Sequence, residues 1–558
     1  MSSGAERLRA ASLSHNDRIA LELGVPYVYR SHTNSLRTVK YGYMNAESIS
    51  RALEEFLQGS RNAVVRENGA ELFDLSQAKY SISGEINRCL LHLWSAERNL
   101  VRRIVDMEVK SDVLRLAVQR LGQSKPGKLD ICRTRDARTP NAKRITRMAY
   151  CHKLTRVLER HFPGYKVGEL KTSADLERSF GPVYCRGLLH RGQSGFSVFA
   201  VNEEETQSSI DAALTFAILW LDHCRQNQSG KLVLEGIKLF VPAKSSSLTR
   251  QRMAHLHPNA ARWELYEFNE RDDSLSEIDL LDRGNLATRL VQLPDEESAF
   301  QRFAKDIARI REWIPEVEVA VLSSAEIAFR RFGLEFARAR LAHDPPHFQT
   351  ATEIVFGLGA AEKVLYDLNE AEFRTLVRSI RETRHPQGPR NHLLWRLHPE
   401  RWLESLVADQ VSLLDERLDD ATAYSQMPAF SAADRAMIDV LAMTHTGRLT
   451  VIELKADEDI HLPMQGLDYW SRVAWHHSRG EFQKFGYFPG QELSSQQPQL
   501  MLVSPALHIH PATDTLLRYL SSQIDWTLIG IDERWREEVK VLFRKRSNPK
   551  NSHLRMAS

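Results

Sequence analysis

MIDVLAMTHTGRLTVIELKADEDIHLPMQGLDYW, residues 437–470, contains two apolar runs, 436–443 and 449–454, on either side of the turn Thr444-His445-Thr446-Gly447. Apolar runs flanking a glycine-bearing turn predict a β-hairpin, because glycine supplies the positive φ that such turns need. Side chains alternate along a strand, so Val451, Glu453 and Lys455 share one face and Thr450, Ile452 and Leu454 the other. Glu453 and Lys455 then stand about 6.5–7 Å apart at their Cα atoms. Charges at the end of an apolar strand are costly unless exposed or paired. Asp439 is a third charge, in the equally apolar first strand, where an antiparallel neighbour brings it near Glu453. Two converging carboxylates make a hard-cation site that the backbone carbonyl of Leu454 can complete. Such a cation activates water, while Lys455 orients or deprotonates that water and offsets charge on phosphoryl oxygens, the chemistry of phosphodiester hydrolysis.

This segment resembles the PD-(D/E)XK nuclease superfamily, whose signature D…(D/E)-x-K on a hairpin is matched by Asp439, Glu453 and Lys455. Gln465 and Tyr469, in QGLDY, reproduce the Q-x-x-x-Y element of RecB-like members, and their spacing of four puts them on one helix face. The order ID…VIELK…Q is also similar to the NucS type. The resemblance covers residues 398–546. It implies a restriction-endonuclease-like α/β fold, a Mg²⁺ or Mn²⁺ cofactor held by Asp439, Glu453 and Leu454, and DNA as the commonest substrate. It also implies a glutamate from the upstream helix HPERWLESLVADQ, with Glu404 first and Glu400 second. Catalytic roles fall to Asp439, Glu453, Lys455, Gln465 and Tyr469. His461 is as well explained by packing at a helix start as by phosphate contact. A second ELK, Glu169 to Lys171, has no acidic strand before it and no Q-x-x-x-Y after it, and is read as chance.

Upstream, residues 141–275 give helix, strands, long helix and strand, the order of an α/β unit with a covered sheet. Matching Gly195 to Gly447 sets Gly187 opposite Asp439 and Val201 opposite Glu453, so this is read as a nuclease-like domain without the chemistry. Residues 1–140 are expected to form a small mixed α/β domain, in which VLRLAV (113–118) alternates as a half-buried strand does. Residues 276–395, with FQRFAKDIARIREWI and EIAFRRFGLEFARARL, read as a helical connector, 396–546 as the nuclease domain and 547–558 as a basic tail.

The 558 residues are too many for one ordinary core, and at 42% hydrophobic and 26% charged they are too apolar for disorder. The net charge of +3 excludes a histone-like coat, yet residues 120–160 hold twelve Lys/Arg against three acids. Phosphate contacts are therefore expected from Lys125, Lys128, Arg133, Arg135, Arg138, Lys143, Arg144 and Arg147. Five cysteines without C-x-x-C speak against a zinc or iron–sulfur site, and no phosphate-binding G-x-x-x-x-G-K-[ST] loop occurs. With no signal peptide and no long apolar run, a soluble cytoplasmic protein without a membrane span is expected.

The function expected is thus a metal-dependent endodeoxyribonuclease of DNA repair, restriction or defence, with DNA as partner and homodimerisation open. A DNA-binding or scaffold protein with a vestigial site is the alternative. RNA processing finds no recognition signature.

Overall fold

The computed structural model describes residues 39–40, 46–58 and, with short interruptions, 60–547; the interruptions include 120–125, 134–139, 282–287, 343–350 and 432–434. The chain divides into two compact units, Met1–Thr146 and Arg147–Ser558. In the first, helix Ala46–Gln58 covers an eight-stranded sheet in which every pairing is antiparallel. The expected strand is Val113–Gln119, and its alternation is literal: Leu114, Leu116 and Val118 are buried while their neighbours are not.

The second unit opens with a six-stranded mixed sheet. Helix α1 (Pro140–His161), which begins in the first unit, is followed by β1 (Tyr184–Arg191) and β2 (Ser194–Val201). Then come α2 (Ala213–Asn227), β3 (Val233–Pro242), α3 (Ser247–Met253), β4 (Arg262–Asn269) and β5 (Ser274–Ile278). β1 and β2 are antiparallel, β2, β3 and β4 parallel, and β5 returns antiparallel at one edge; Lys166–Val167 closes the other. One face packs on α2 through Phe199, Val201, Ile237 and Leu239, the other on α1 through Val198, Ala200 and Phe240.

Residues 276–395 are not a helical connector. They contain helices Glu296–Arg302, Ala304–Trp313 and α4 (Glu370–Thr383), but the centre is a five-stranded antiparallel sheet. EIAFRRFGLEFARARL is the hairpin β6 (Glu326–Arg331) and β7 (Leu334–Leu341). Its arginines fall at spacings that imitate a helix, but Phe332 (φ 45°) and Gly333 (φ 66°) form a two-residue turn with both φ positive, which suits a tight hairpin. A Cβ at Gly333 would come within 2.0 Å of the Arg401 carbonyl, so the turn lies directly on the next segment. Arg384, fully buried, donates to the carbonyls of Arg331, Phe332, Leu394 and Leu397 at 2.7–3.2 Å and fastens this turn to the chain ahead of the following helix.

The C-terminal part comprises α5 (Pro399–Asp409), β8 (Tyr424–Ser431), β9 (Arg435–Met443), β10 (Leu449–Leu454), α6 (Leu462–Ser478), β11 (Gln499–Pro505), α7 (Thr513–Arg518), β12 (Trp526–Ile531) and β13 (Val541–Arg546). β9 and β10 are antiparallel, β10, β11 and β12 parallel, and β13 antiparallel at the edge. β10, β11 and β12 are buried at every position, as strands covered on both faces must be. Strand for strand, this is the topology of the first sheet, with α6 in the place of α2 and α7 in that of α3. Thr288–Arg289 adds a seventh strand beside β8, so this sheet begins well upstream of residue 396. Among the described residues no helix is long and apolar enough to cross a membrane. Of the expected basic tail, residues 548–558 lie outside the described residues.

Candidate active site

The turn joining β9 to β10 is closed by the Thr444 amide donating to the Arg448 carbonyl at 2.9 Å, with Gly447 at φ 81°. Val440 pairs with Ile452, which sets Asp439 opposite Glu453. The Leu454 amide donates to Oδ2 of Asp439 at 2.9 Å, and Lys455 Nζ donates to Oε1 of Glu453 at 3.2 Å. Glu453 is 2% exposed, and apart from the facing Asp439 carboxyl, with which it can share a proton, its Oε2 has no hydrogen-bond partner among the described residues. Burial, and then the charge of Asp439, push the Glu453 carboxyl well above the usual range; burial also raises Asp439, against the lowering effect of the Leu454 amide and Lys455. Burial acts to lower the Lys455 ammonium, but Glu453, Glu400 and Asp439 outweigh it and hold it charged.

Two helices complete the surroundings. α5 starts at Pro399, whose fixed φ suits the first helical turn, and it directs Glu404 inward. Glu404 is 3% exposed; Arg401 donates to Oε2 at 2.9 Å while Oε1 is unpartnered. Burial prevails over that ion pair and lifts its carboxyl to about 7. Glu400 stands at the rim, 3.7 Å from Lys455 Nζ. On the other side α6 crosses β10 and β11 at Gly466, where a Cβ would meet Leu502 Cδ2 at 2.5 Å and lie 3.7 Å from the Glu453 Cβ. Tyr469, one turn of α6 further on, lies within electrostatic reach of Glu453 and Asp439. Gln465 Oε1 is buried without a partner, and burial followed by the charges of Glu453 and Asp439 raises the Tyr469 phenol.

Asp439, Glu453, Lys455, Glu404 and Tyr469 therefore converge, with Leu454 contributing its amide to Asp439, while no contact ties Gln465 to them among the described residues. Among the described residues no three His, Cys, Asp or Glu side chains approach closely enough to bind a metal ion as they stand. The donor chemistry nevertheless suits a divalent cation, since two carboxylates face each other and the buried Oε1 of Glu404 lacks a partner. His461 sits at the start of α6; its amide donates to Asp459 at 2.8 Å, and its ring packs edge-on to Phe216 at 5.8 Å. Arg401, the ion-pair partner of Glu404, is signalled in the sequence only by its i, i+3 spacing.

The basic stretch does not form one free surface. Arg147 is bidentate to Glu205 at 2.6 and 2.9 Å, and Lys128 lies 3.4 Å from Asp130. Arg133 stacks over Phe56 at 4.5 Å. Arg144 is exposed and Lys143 partly buried, whereas Lys125, Arg135 and Arg138 lie outside the described residues. These side chains come from both compact units, and on α1 the loop acids Glu205 and Asp273 engage Arg147 and Lys153 while Arg144 stays exposed.

The upstream hairpin is offset from the match made on glycines. Its last pair is Arg191 with Ser194, and the turn glycine is Gly192 (φ 62°), while Gly195 lies within β2. Counted from the last pair of each hairpin, Met443 with Leu449 and Arg191 with Ser194, Gly187 and Val198 stand where Asp439 and Glu453 do, and the next pair, Arg186 with Phe199, faces α2 as the carboxylates face α6. Arg186 is buried, donates to the carbonyls of Ser173 and Gly181 and packs against Phe180 and Trp220. Neither pair offers a side-chain oxygen or nitrogen donor to a cation, and the Arg186 guanidinium would repel one. Glu169 and Lys171, the chance tripeptide, pair with each other at the surface.

Compared with known proteins, the chain matches no family model and no curated protein.

Proposed function

We propose that the protein is a divalent-metal-dependent nuclease, an endodeoxyribonuclease of DNA repair, restriction or defence, whose C-terminal sheet is a PD-(D/E)XK domain and whose upstream sheet is a degenerate copy. The observation that carries this reading is the convergence of Asp439, Glu453 and Lys455 at the end of a buried hairpin, with the two carboxyls facing each other. A merely structural ion pair gains nothing from a second buried carboxyl set against the first; burial raises both, and a bound cation would relieve them.

Asp439 and Glu453 would hold Mg²⁺ or Mn²⁺, with Leu454 and Glu404 as further donors. When bound, the ion supplies Lewis-acid stabilisation of a phosphoryl oxygen and a water of lowered pKa. The chain's own residues do the positioning. The Leu454 amide orients Asp439, and Glu453 orients Lys455. The Lys455 ammonium, held charged by its acidic neighbours, lies where negative charge develops on the phosphate. Gln465 and Tyr469 line the α6 side and position the lysine, water or backbone.

Purified protein incubated with supercoiled plasmid, linear duplex, single strands and RNA, with Mg²⁺, Mn²⁺ or EDTA, tests the reading. Metal-dependent cleavage that disappears in Glu453→Ala and Lys455→Ala is expected. Identical behaviour of wild type and variants on every substrate would falsify it, and cleavage confined to RNA would move the substrate class.

A further inference from the structure

The two similar sheets of the second unit meet through equivalent elements. α3 of the upstream half packs on α6, and α7 of the C-terminal half packs on α2. Because α3 corresponds to α7 and α2 to α6, each contact is the other with the halves exchanged, which is the pattern of a two-fold interface. The chain segments after α3 and α7 pair around Leu256 and Leu520: the His257 amide donates to the Tyr519 carbonyl at 2.8 Å, and the Ser521 amide to the His255 carbonyl at 2.9 Å. Ion pairs repeat the exchange, with Arg252 of α3 on Asp468 of α6 at 2.6 Å and Arg518 of α7 on Asp222 of α2 at 3.4 Å.

The same ends of the two sheets lie together. Phe216, in the first turns of α2, touches His461 at the start of α6. In each half that helix follows the central hairpin, after the short helix Gln207–Asp211 in the upstream half, so the hairpin end bearing Asp439 and Glu453 and the end bearing Arg186 and Phe199 open toward one side of this unit. One half therefore presents two carboxylates there, and the other a buried, carbonyl-bound guanidinium and a phenyl ring.

From this arrangement we infer that the second unit is a single-chain pseudo-dimer that binds duplex DNA across both halves and cuts one strand. This rests on the nuclease reading and goes beyond it by naming the substrate form and the product. The two backbones of a duplex are related by dyads, and a two-fold protein meets them with equivalent surfaces. Only the backbone facing Asp439, Glu453 and Lys455 is hydrolysed. One water adds across one P–O bond, leaving a phosphate monoester on one side of the break and a hydroxyl on the other. The opposite strand is held but not cut.

The full-length protein with supercoiled plasmid and Mn²⁺ tests the inference. Open circles should accumulate, with linear DNA absent until the supercoiled form is consumed, and the initial rate should rise in proportion to protein concentration. A short duplex labelled on both strands should be cut on a denaturing gel yet keep its full length on a native one. Linear DNA from the first turnovers, a rate rising with the square of concentration, or cleavage of single strands alone overturns the pseudo-dimer inference and leaves the nuclease reading standing. Absence of any cleavage, or equal cleavage by wild type, Glu453→Gln and Asp439→Asn, removes both.

Discussion

The backbone amide of Leu454 donates to Oδ2 of Asp439, so one strand of the hairpin fixes the carboxylate of the other before anything binds. Asp439→Asn keeps an acceptor for that amide and removes the charge. The variant should unfold at a temperature close to wild type but lose at least about a hundred-fold in cleavage rate. Under the proposed function Mn²⁺ should raise the melting temperature of the wild type and not of this variant, because an ion that binds only the folded state stabilises it in proportion to occupancy. Thermal scans with and without Mn²⁺ check this, and an unchanged shift in Asp439→Asn removes Asp439 from the ion site.

Glu404 makes stability pH-dependent in an identifiable direction. Its carboxyl rises from the ordinary 4.5 to about 7 on folding, so between these values the unfolded chain has released a proton that the folded one keeps. The contribution of Glu404 is most favourable below pH 4.5 and falls as pH rises through 7, by roughly 3 kcal/mol at most. In EDTA, urea midpoints of wild type and Glu404→Gln should diverge between pH 5 and 7, with the variant gaining. Parallel curves would show that Arg401 compensates the charge fully.

Arg252 and Asp468 are both buried and joined by two hydrogen bonds across the interface of the two halves. Removing one partner strands the other charge, and Arg252→Ala should cost about 3–5 kcal/mol in urea unfolding. The double variant Arg252→Met/Asp468→Leu should recover most of that loss. If it is no better than the single variant, the pair contributes more than the cost of a stranded charge.

Gly466 controls how closely α6 lies on the sheet. Gly466→Ala drives a methyl group into Leu502 and Leu500. About 1–3 kcal/mol of stability should be lost, and cleavage should fall further than stability predicts because Gln465 and Tyr469 are displaced. The two effects separate when rates are compared well below the melting temperature; a wild-type rate there dissociates helix position from catalysis.

Arg144 is exposed, whereas Arg147 is engaged by Glu205. Arg144→Ala should reduce the slope of log affinity against log salt by about one for duplex DNA. Arg147→Ala should leave the slope unchanged and lower the melting temperature. Equal slope changes in both would mean that the Glu205 pair opens on binding.

How readily the sequence reveals these features follows from how local their causes are. Asp439, Glu453 and Lys455 are conspicuous because each is a charge in an otherwise apolar strand, and a pattern of period two sets their faces. Residues 326–341 mislead because their arginines also satisfy helical spacing, and only the pair Phe332-Gly333 betrays the turn. In the upstream hairpin the strands are readable but the register is not: Gly195 stands inside a strand, where a Cβ would meet the Leu189 carbonyl at 2.9 Å, while Gly192 makes the turn. Arg147 appears available as long as Glu205, 58 positions away, is not seen beside it. Arg252 and Asp468 are 216 positions apart, and no local pattern signals their meeting.

The guanidinium of Arg384 bears on where this chain can be divided. Four carbonyls from both sides of residue 395 converge on it, and the turn at Gly333 is seated on the first coil of the helix that carries Glu404. A fragment starting at residue 396 would bare the face of Trp402 that Phe332 now covers, along with the edge of β8 that Thr288–Arg289 now occupies. The half that carries Asp439 and Glu453 is thus not a detachable cassette: under the proposed function, proteolysis between residues 290 and 395 should silence it even though every residue proposed to perform the chemistry survives the cut.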